Sequence, residues 1–323
     1  MRILVTGGAG FIGSQVAERY LKLGHEVAVV DDLSTGSFHF VPEGARFYQM
    51  DILDPRLREV FREFRPEIVN HHAAQISVVK STQNPEEDAR VNVLGALRVI
   101  QWSLEFGVRR FIYVSTGGAL YGEPVRLPCR EGDPAHPLSP YGVAKLAVEH
   151  YLYSFYMTHG FRYVVLRYGN VYGPRQDPNG EAGVVAIFTQ RMLRRQPVII
   201  YGNGNQERDF VFVDDIVEAN VLALEAPVQN GHPTAPIFNL GTGQGTTVKE
   251  IFYHLKRFTG YPLEARYDPP RPGEVFRVYL DASKAWREWG WKPQHSLQEG
   301  LRKTVEWFRQ QEQTTSTPHR SQE

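Results

Sequence analysis

Tyr141 and Lys145 stand four residues apart in the run Ser139-Pro140-Tyr141-Gly142-Val143-Ala144-Lys145, and on a helix that spacing puts both side chains on one face. An ammonium beside a phenol favours the ionised form. A side chain that ordinarily titrates near ~10 then becomes a usable general base at neutral pH. The chain also opens with a glycine-rich turn, Gly7-Gly8-Ala9-Gly10-Phe11-Ile12-Gly13, directly after a short apolar run that reads as a strand. Where such a turn leads into a helix, bare backbone N–H groups face outward and can hold a pyrophosphate, and side chains there would block its approach. The turn satisfies both Gly-x-x-Gly-x-x-Gly, through Gly7, Gly10 and Gly13, and Gly-x-Gly-x-x-Gly, through Gly8, Gly10 and Gly13. A tyrosine base and a dinucleotide turn in one chain point to a nicotinamide enzyme.

Two acidic positions refine that reading. Asp31 closes the second predicted strand eighteen residues past Gly13, where a carboxylate can hydrogen-bond the adenosine ribose hydroxyls. Asp31 and Asp32 together repel a 2′-phosphate, and the following Leu33-Ser34-Thr35-Gly36 offers no arginine to receive one, so NAD is favoured over NADP. Asp51 and Ile52, after the third strand, are placed beside the adenine, the first by hydrogen bonding and the second by packing. His71 and His72 invite a metal reading, but adjacent residues on a strand point to opposite faces and cannot share an ion. No metal site is expected.

Stepping outward, the first half of the chain alternates β-branched runs (3–5, 27–30, 46–49, 68–71 and 111–114) with amphipathic stretches (14–23, 56–64, 91–106 and 141–158). That alternation predicts an α/β fold, a Rossmann-type doubly wound parallel sheet, with a smaller C-terminal substrate-binding lobe. The divisions expected are 1–167 for the dinucleotide-binding domain, 168–310 for the lobe, partly interleaved with it, and 311–323 for a flexible tail. Thr247 with Glu250 has capping-box spacing for a helix, and Trp286, Trp289 and Trp291 read as packing anchors. The stretches 91–106 and 141–158 are apolar on more than one face, as in a helix deeply buried or packed on a partner subunit.

The 323 residues are 42% hydrophobic and 22% charged, and 36 basic residues balance 36 acidic ones. No overall field therefore draws the chain to nucleic acid or an anionic membrane, and neither is an expected partner. The single cysteine, Cys129, excludes an intrachain disulfide framework and suits a reducing compartment. With no apolar run near ~20 residues and a glycine turn too close to Met1 for a signal peptide, a cytoplasmic address is expected.

Several further motifs follow in order: His72-Ala73-Ala74, Asn92, Ser115-Thr116 with Tyr121-Gly122, Arg167-Tyr168-Gly169-Asn170-Val171-Tyr172-Gly173-Pro174, Arg208-Asp209-Phe210 and Arg271-Pro272-Gly273-Glu274. With the glycine turn, Asp31 and the Tyr141/Lys145 pair, they make residues 1 to about 310 resemble the extended short-chain dehydrogenase/reductase family, and most closely its nucleotide-sugar epimerases of the UDP-glucose 4-epimerase type. The resemblance implies that Tyr141 accepts and returns a proton and that Lys145 holds the nicotinamide ribose. It implies cofactor contacts along Gly7, Gly10, Phe11, Ile12, Gly13, Asp31, Asp32, Asp51, Ile52, His72, Ala73, Ala74, Asn92, Ser115 and Tyr168. It also implies that Asn170, Arg208 and Arg271 grip the diphosphate and nucleoside of a UDP-hexose, that Tyr201 lies near the base, and that Glu274 contacts a ribose or orients Arg271. Guanidinium forks suit a diphosphate.

The chain departs from this family at one catalytic position. A serine or threonine is usual where Gly117 stands, four residues before Tyr121, and Thr116 is the expected substitute. Gly118-Ala119 occupy the positions where a 4,6-dehydratase carries an Asp-Glu pair, which disfavours elimination. Val278, at the position that sets pocket size in the family, leaves room for an N-acetyl group. The expected activity is 4-epimerisation of UDP-glucose and UDP-galactose, or their N-acetyl counterparts, through a transient 4-keto sugar. The alternatives are a uronate epimerase, decarboxylase or dehydratase of the same family and a non-enzymatic dinucleotide sensor. The resemblance further implies a homodimer joined by a four-helix bundle built from 91–106 and 141–158 of each subunit.

Overall fold

In β1 (Arg2–Thr6) the side chains of Ile3 and Val5 are fully buried on one face of the sheet and Leu4 is fully buried on the other, joining two different hydrophobic clusters. A strand covered on both faces belongs to a parallel sheet between helix layers. The computed structural model describes residues 1–179, 183–229, 231–270 and 275–316. In chain order β1 is followed by α1 (Phe11–Lys22), β2 (Glu26–Asp31), β3 (Arg46–Gln49), α2 (Leu57–Phe64) and β4 (Ile68–His71). Two short helices, α3 (Val78–Gln83) and α4 (Pro85–Ala89), then lead through a π-helical turn, Arg90–Gly95, into α5 (Ala96–Glu105), β5 (Arg110–Thr116), α6 (Pro140–His159) and β6 (Tyr163–Tyr168).

The sheet runs in the order Ile237–Leu240, β6, β5, β4, β1, β2, β3, with every neighbouring pair parallel. The direction of winding reverses between β1 and β4. The crevice at the carboxyl ends of those two strands is where open α/β sheets bind their ligands. β6 and the strand Ile237–Leu240 lie outside the strands that apolar alternation picks out. β6, reading Tyr-Val-Val-Leu-Arg-Tyr, is buried along its whole length, so it has no polar face to produce a period of two.

Helix α6 shows its punctuation in the sequence. Ser139 caps it, accepting the Gly142 N–H at 3.2 Å, Pro140 occupies the first turn, and Gly160 ends it in the left-handed conformation at φ 67°. The predicted helix 91–106 divides at the π-helical turn, where a side chain on Gly95 would come within 2.5 Å of Ile52. Beyond β6 the chain builds small sheets: Asn170–Tyr172 with Phe210–Phe212, Glu207–Arg208 between Thr246–Thr247 and Arg277–Val278, and Ile199–Tyr201 with Arg266–Asp268. The Thr247/Glu250 capping box forms, with Glu250 N–H donating to Thr247 Oγ1 at 3.1 Å and Thr247 N–H to Glu250 Oε2 at 2.7 Å.

The helix Leu297–Ser316 runs into the stretch expected as a tail, where Glu312 pairs with Arg194 at 2.8 Å. One sequence-based expectation changes. Of the three tryptophans, Trp289 lies against Phe238 with ring centres 3.7 Å apart, and the buried Trp291 donates to the Asp215 carbonyl at 2.8 Å. Trp286 instead stays half exposed under the Lys292 ammonium.

Candidate active site

At the β1–α1 turn the backbone approaches its neighbours too closely for side chains. Gly7 sits at φ 69°, and a Cβ on it would lie 2.6 Å from the Ala73 nitrogen. One on Gly13 would lie 2.3 Å from the Gly7 carbonyl oxygen. The position on Gly10 is different, since a Cβ there would meet only the Gly7 oxygen, at 3.3 Å, and otherwise points into open space. That opening adjoins the amino end of α1, where no side chain caps the free N–H groups and no acidic residue occupies the first turn. This is a cradle for an anion, and it fits the pyrophosphate of NAD. Phe11 and Ile12 begin the helix, half buried against the core.

Asp31 is buried at the end of β2. Its Oδ2 accepts the Ala9 N–H and its Oδ1 the Leu33 N–H, each at 2.9 Å. The carboxylate thus shapes the glycine turn, with lone pairs left for ribose hydroxyls. Burial is the largest influence on its pKa and raises it, against those two hydrogen bonds. Asp32 is exposed and holds Ser34 through the Ser34 N–H at 2.9 Å. Asp51 accepts the Leu53 N–H at 2.8 Å, and Ile52 is buried beneath Gly95.

Across the crevice, the His72 N–H donates to the Thr6 carbonyl at 3.0 Å and the Ala73 N–H to Thr6 Oγ1 at 3.3 Å, bringing residues 72–74 alongside the turn. His71 lies on the opposite face, its Nδ1 2.7 Å from Thr6 Oγ1. Burial pushes both imidazoles down to about 3, so they are neutral at physiological pH. Asn92 uses its whole amide inside the protein: Oδ1 accepts the Gln75 N–H at 3.0 Å, and Nδ2 donates to the Gln75 carbonyl and to Asp88 Oδ1, both at 2.9 Å. Tyr168 points into the core, its hydroxyl accepting from Asn220 at 2.7 Å, and offers its carbonyl to the Gly117 N–H, also at 2.7 Å. The Ser115 hydroxyl is likewise turned inward, donating to Glu149 at 2.5 Å. These bonds tie the side chains of Asn92, Tyr168 and Ser115 to partners inside the protein.

The reactive groups gather where β5 ends beside the start of α6. The Thr116 side chain lies close enough to the Tyr141 phenol to lower its pKa. Lys145 Nζ donates to the Val114 carbonyl at 3.0 Å, and it stands 5.1 Å from the Tyr113 ring centre and 5.9 Å from that of Tyr141. The structure therefore brings Tyr141, Thr116 and Lys145 together. Burial is the largest influence on the phenol and pushes its pKa well above the ordinary value. The buried charge of Asp88 acts in the same direction, and the Thr116 side chain acts against both. Burial drives Lys145 down to about 8, opposed by Asp88 and Glu149.

The sign of the Lys145 shift separates activity from stability. The ammonium is lost as pH rises through about 8, so kcat/KM is expected to fall on that alkaline limb. The unfolded chain keeps the proton up to the ordinary value of 10.5, so this group adds to folding stability as pH climbs from about 8 to 10.5. A pH–rate profile set beside thermal midpoints over that window checks both signs; a kcat/KM rising through the window would contradict the first.

A Cβ on Gly117 would lie 2.3 Å from Leu280 Cδ1, so the space a side chain would need at 117 is filled by a buried leucine. Gly118 admits Asn170, whose Oδ1 lies 3.1 Å from where a Cβ would stand. Arg208 donates to the Glu207 carbonyl at 2.9 Å, and the Tyr201 carbonyl accepts from Gln206 at 3.0 Å; both residues are half buried on strands of the lobe. Val278 pairs in register with Arg208 and is buried in a cluster with Leu120, Tyr121 and Leu280. Arg271 and Glu274 lie outside the described residues. Asp88 and Gln75, which hold Asn92, carry no motif that would have singled them out.

The model of the NAD dependent epimerase/dehydratase family matches residues 3–241. A putative UDP-glucose 4-epimerase of Methanocaldococcus jannaschii is 44% identical over 312 residues, covering 97% of this chain and all of that protein. The crystal structure of the Thermotoga maritima UDP-glucose 4-epimerase with UDP-glucose superposes with a TM-score of 0.93 at 50% identity, covering 96% of this chain and 99% of that one. The Thermus thermophilus UDP-glucose 4-epimerase in complex with NAD gives 0.91 at 45% identity, with the same coverage of the two chains. The chain belongs to the NAD dependent epimerase/dehydratase family.

Proposed function

We propose that this protein is a UDP-glucose 4-epimerase, inverting C4 of UDP-glucose to give UDP-galactose and running the reverse reaction. The observation that carries this reading is the gathering of Tyr141, Thr116 and Lys145 where β5 ends beside the start of α6, at the carboxyl edge of a sheet whose glycine turn suits NAD. The relatives and neighbouring structures bearing that name support it.

In this mechanism Tyr141 takes the proton of the C4 hydroxyl and later returns it, while the Thr116 hydroxyl steadies both the phenolate and the sugar oxygen. Lys145, anchored on the Val114 carbonyl, keeps an ammonium near the phenolate and toward the nicotinamide ribose. NAD, when bound, takes the C4 hydrogen as hydride and gives it back, so the sugar passes through a 4-ketone with no net oxidation. Asn170, Arg208, Arg271 and Tyr201 hold the nucleotide and diphosphate, leaving the hexose gripped loosely enough to present either face. Gly118 and Ala119 supply no acid or base for elimination.

Removing the Thr116 hydroxyl as Thr116→Ala is expected to lower kcat by about 10- to 100-fold, whereas Thr116→Ser stays within a few-fold of wild type. Equal activity of all three enzymes would remove Thr116 from the mechanism. The function itself is tested by incubating the protein with UDP-glucose and NAD and following the sugar by NMR. UDP-galactose with no build-up of NADH or of a 4-keto-6-deoxy sugar supports the reading, and either build-up contradicts it. A panel of UDP-GlcNAc, UDP-glucuronate and dTDP-glucose defines the hexose and the base.

The same reading makes the protein a cytoplasmic homodimer. Ile76, Leu94, Val143, Tyr151 and Met157 are exposed apolar residues on and around α3, the π-helical turn and α6, as a face waiting for a partner helix pair would present. The lone cysteine is consistent with the cytoplasm. Among the described residues no helix is long and apolar enough to cross a membrane.

A further inference from the structure

We infer that the buried Glu149–Arg167 ion pair is a positioning device for catalysis, fastening the end of β5, helix α6 and the loop to Tyr121 in the one arrangement where Thr116, Tyr141 and Lys145 meet. The inference rests on the epimerase reading above.

Glu149 and Arg167 are about as buried as the core around them, at 5% and 4% exposure. Arg167 meets the carboxylate with two hydrogen bonds, Nε to Oε1 at 3.0 Å and Nη2 to Oε2 at 2.6 Å. Its Nη1 donates to the Tyr121 hydroxyl at 2.8 Å and to the Glu131 carbonyl at 3.3 Å. Tyr121 passes the chain of bonds on to Asn239 Oδ1 at 2.8 Å, and the Asn239 N–H donates to Glu131 Oε1 at 3.0 Å. On the other side, Glu149 Oε1 accepts the Ser115 hydroxyl at 2.5 Å.

The placement of these bonds along the chain gives the device its purpose. Ser115 immediately precedes Thr116, and Tyr121 lies five residues beyond it in the loop that follows β5, so the network holds the threonine from both sides. Glu149 is one helical turn beyond Lys145, which is itself one turn beyond Tyr141, so the same pair sets the depth and rotation of α6 against β5. A buried ion pair is rarely the most stable filling for such a space, since apolar side chains of similar volume often do as well or better. They cannot impose direction on a serine and a tyrosine hydroxyl. None of these side chains forms part of the proposed proton path, so they act through the groups that do: by fixing their geometry and, for Glu149, by a charge that helps keep Lys145 protonated. Misplacement by about 1 Å can cost about 100-fold in rate.

The test is the double substitution Glu149→Met with Arg167→Met, which removes both charges and keeps the volume, assayed beside wild type with saturating NAD. The expected result is a folded protein whose KM for UDP-glucose stays within about threefold while kcat falls at least about tenfold, the split that loss of positioning produces. A folded double variant with kcat within twofold of wild type would overturn the inference. Should the double variant not fold, Tyr121→Phe decides: it removes one hydroxyl and leaves the ion pair. A kcat lowered threefold or more at unchanged KM supports the inference, and wild-type kcat overturns it. A wild-type protein that fails to epimerise UDP-glucose strikes instead at the proposed function.

Discussion

Replacing Tyr141 with phenylalanine is expected to slow epimerisation by about 10²- to 10⁴-fold, equivalent to roughly 3–5 kcal/mol of transition-state stabilisation, with NAD and UDP-glucose binding close to wild type. The substitution removes a single oxygen from a side chain whose ring stays packed near the start of α6. Ser139 and Pro140 still begin the helix, and Lys145 keeps its bond to Val114. What is lost is the phenol beside Thr116 and Lys145 that takes the proton of a sugar hydroxyl and hands it back. Burial and the charge of Asp88 hold the phenol up in the protein alone, so the ionised form depends on Thr116, on Lys145 and on the positive charge of oxidised nicotinamide. Turnover within tenfold of wild type would remove Tyr141 from the mechanism.

Gly13→Val should abolish activity by a different route, weakening NAD binding by more than about 100-fold. A Cβ at position 13 would lie 2.3 Å from the Gly7 oxygen and 3.0 Å from the Gly7 carbon, both backbone atoms that no rotamer change can move aside. The turn must open, which draws Gly7 away from Ala73 and disturbs the free N–H groups at the start of α1. Isothermal titration with NAD reads the loss directly. Affinity within threefold of wild type would mean that the glycine cradle is not where the dinucleotide is held. Contrasting the two variants separates chemistry from cofactor binding, since the first should keep NAD and the second should lose it.

The parts of this site that are legible in the sequence are those whose geometry is local. A strand, a glycine turn and a helix are contiguous, Asp31 ends the next strand, and Tyr141 and Lys145 are separated by one helical turn. Residue types and spacing suffice for these. Elements lacking a local signature are harder to read: β6 is buried on every side, and Ile237–Leu240 is four residues arriving from a loop-rich stretch to complete the sheet. Side-chain direction at chain positions far apart is harder still. Ile52 packs beneath Gly95 and the Tyr168 hydroxyl meets Asn220, contacts between distant parts of the chain that no local spacing announces. Ser115 and Glu149, 34 positions apart, and Tyr121 and Asn239, 118 apart, become neighbours only once the sheet is assembled. Thr116 lies between these cases. The absence of a hydroxyl at Gly117 directs attention to it, but the buried Leu280 that fills the space beside Gly117 comes from a strand-end segment more than half the chain away.

The account depends on C4 losing and regaining its own hydrogen inside one closed site, with Tyr141 handling only the hydroxyl proton. Converting UDP-glucose deuterated at C4 and locating the label in the product by NMR tests this most directly. UDP-galactose that retains the deuterium at C4, with none lost to water and none gained at C4 from D2O in the reciprocal experiment, is the expected result. Washout of the label to solvent, or its appearance at a neighbouring carbon, would contradict it.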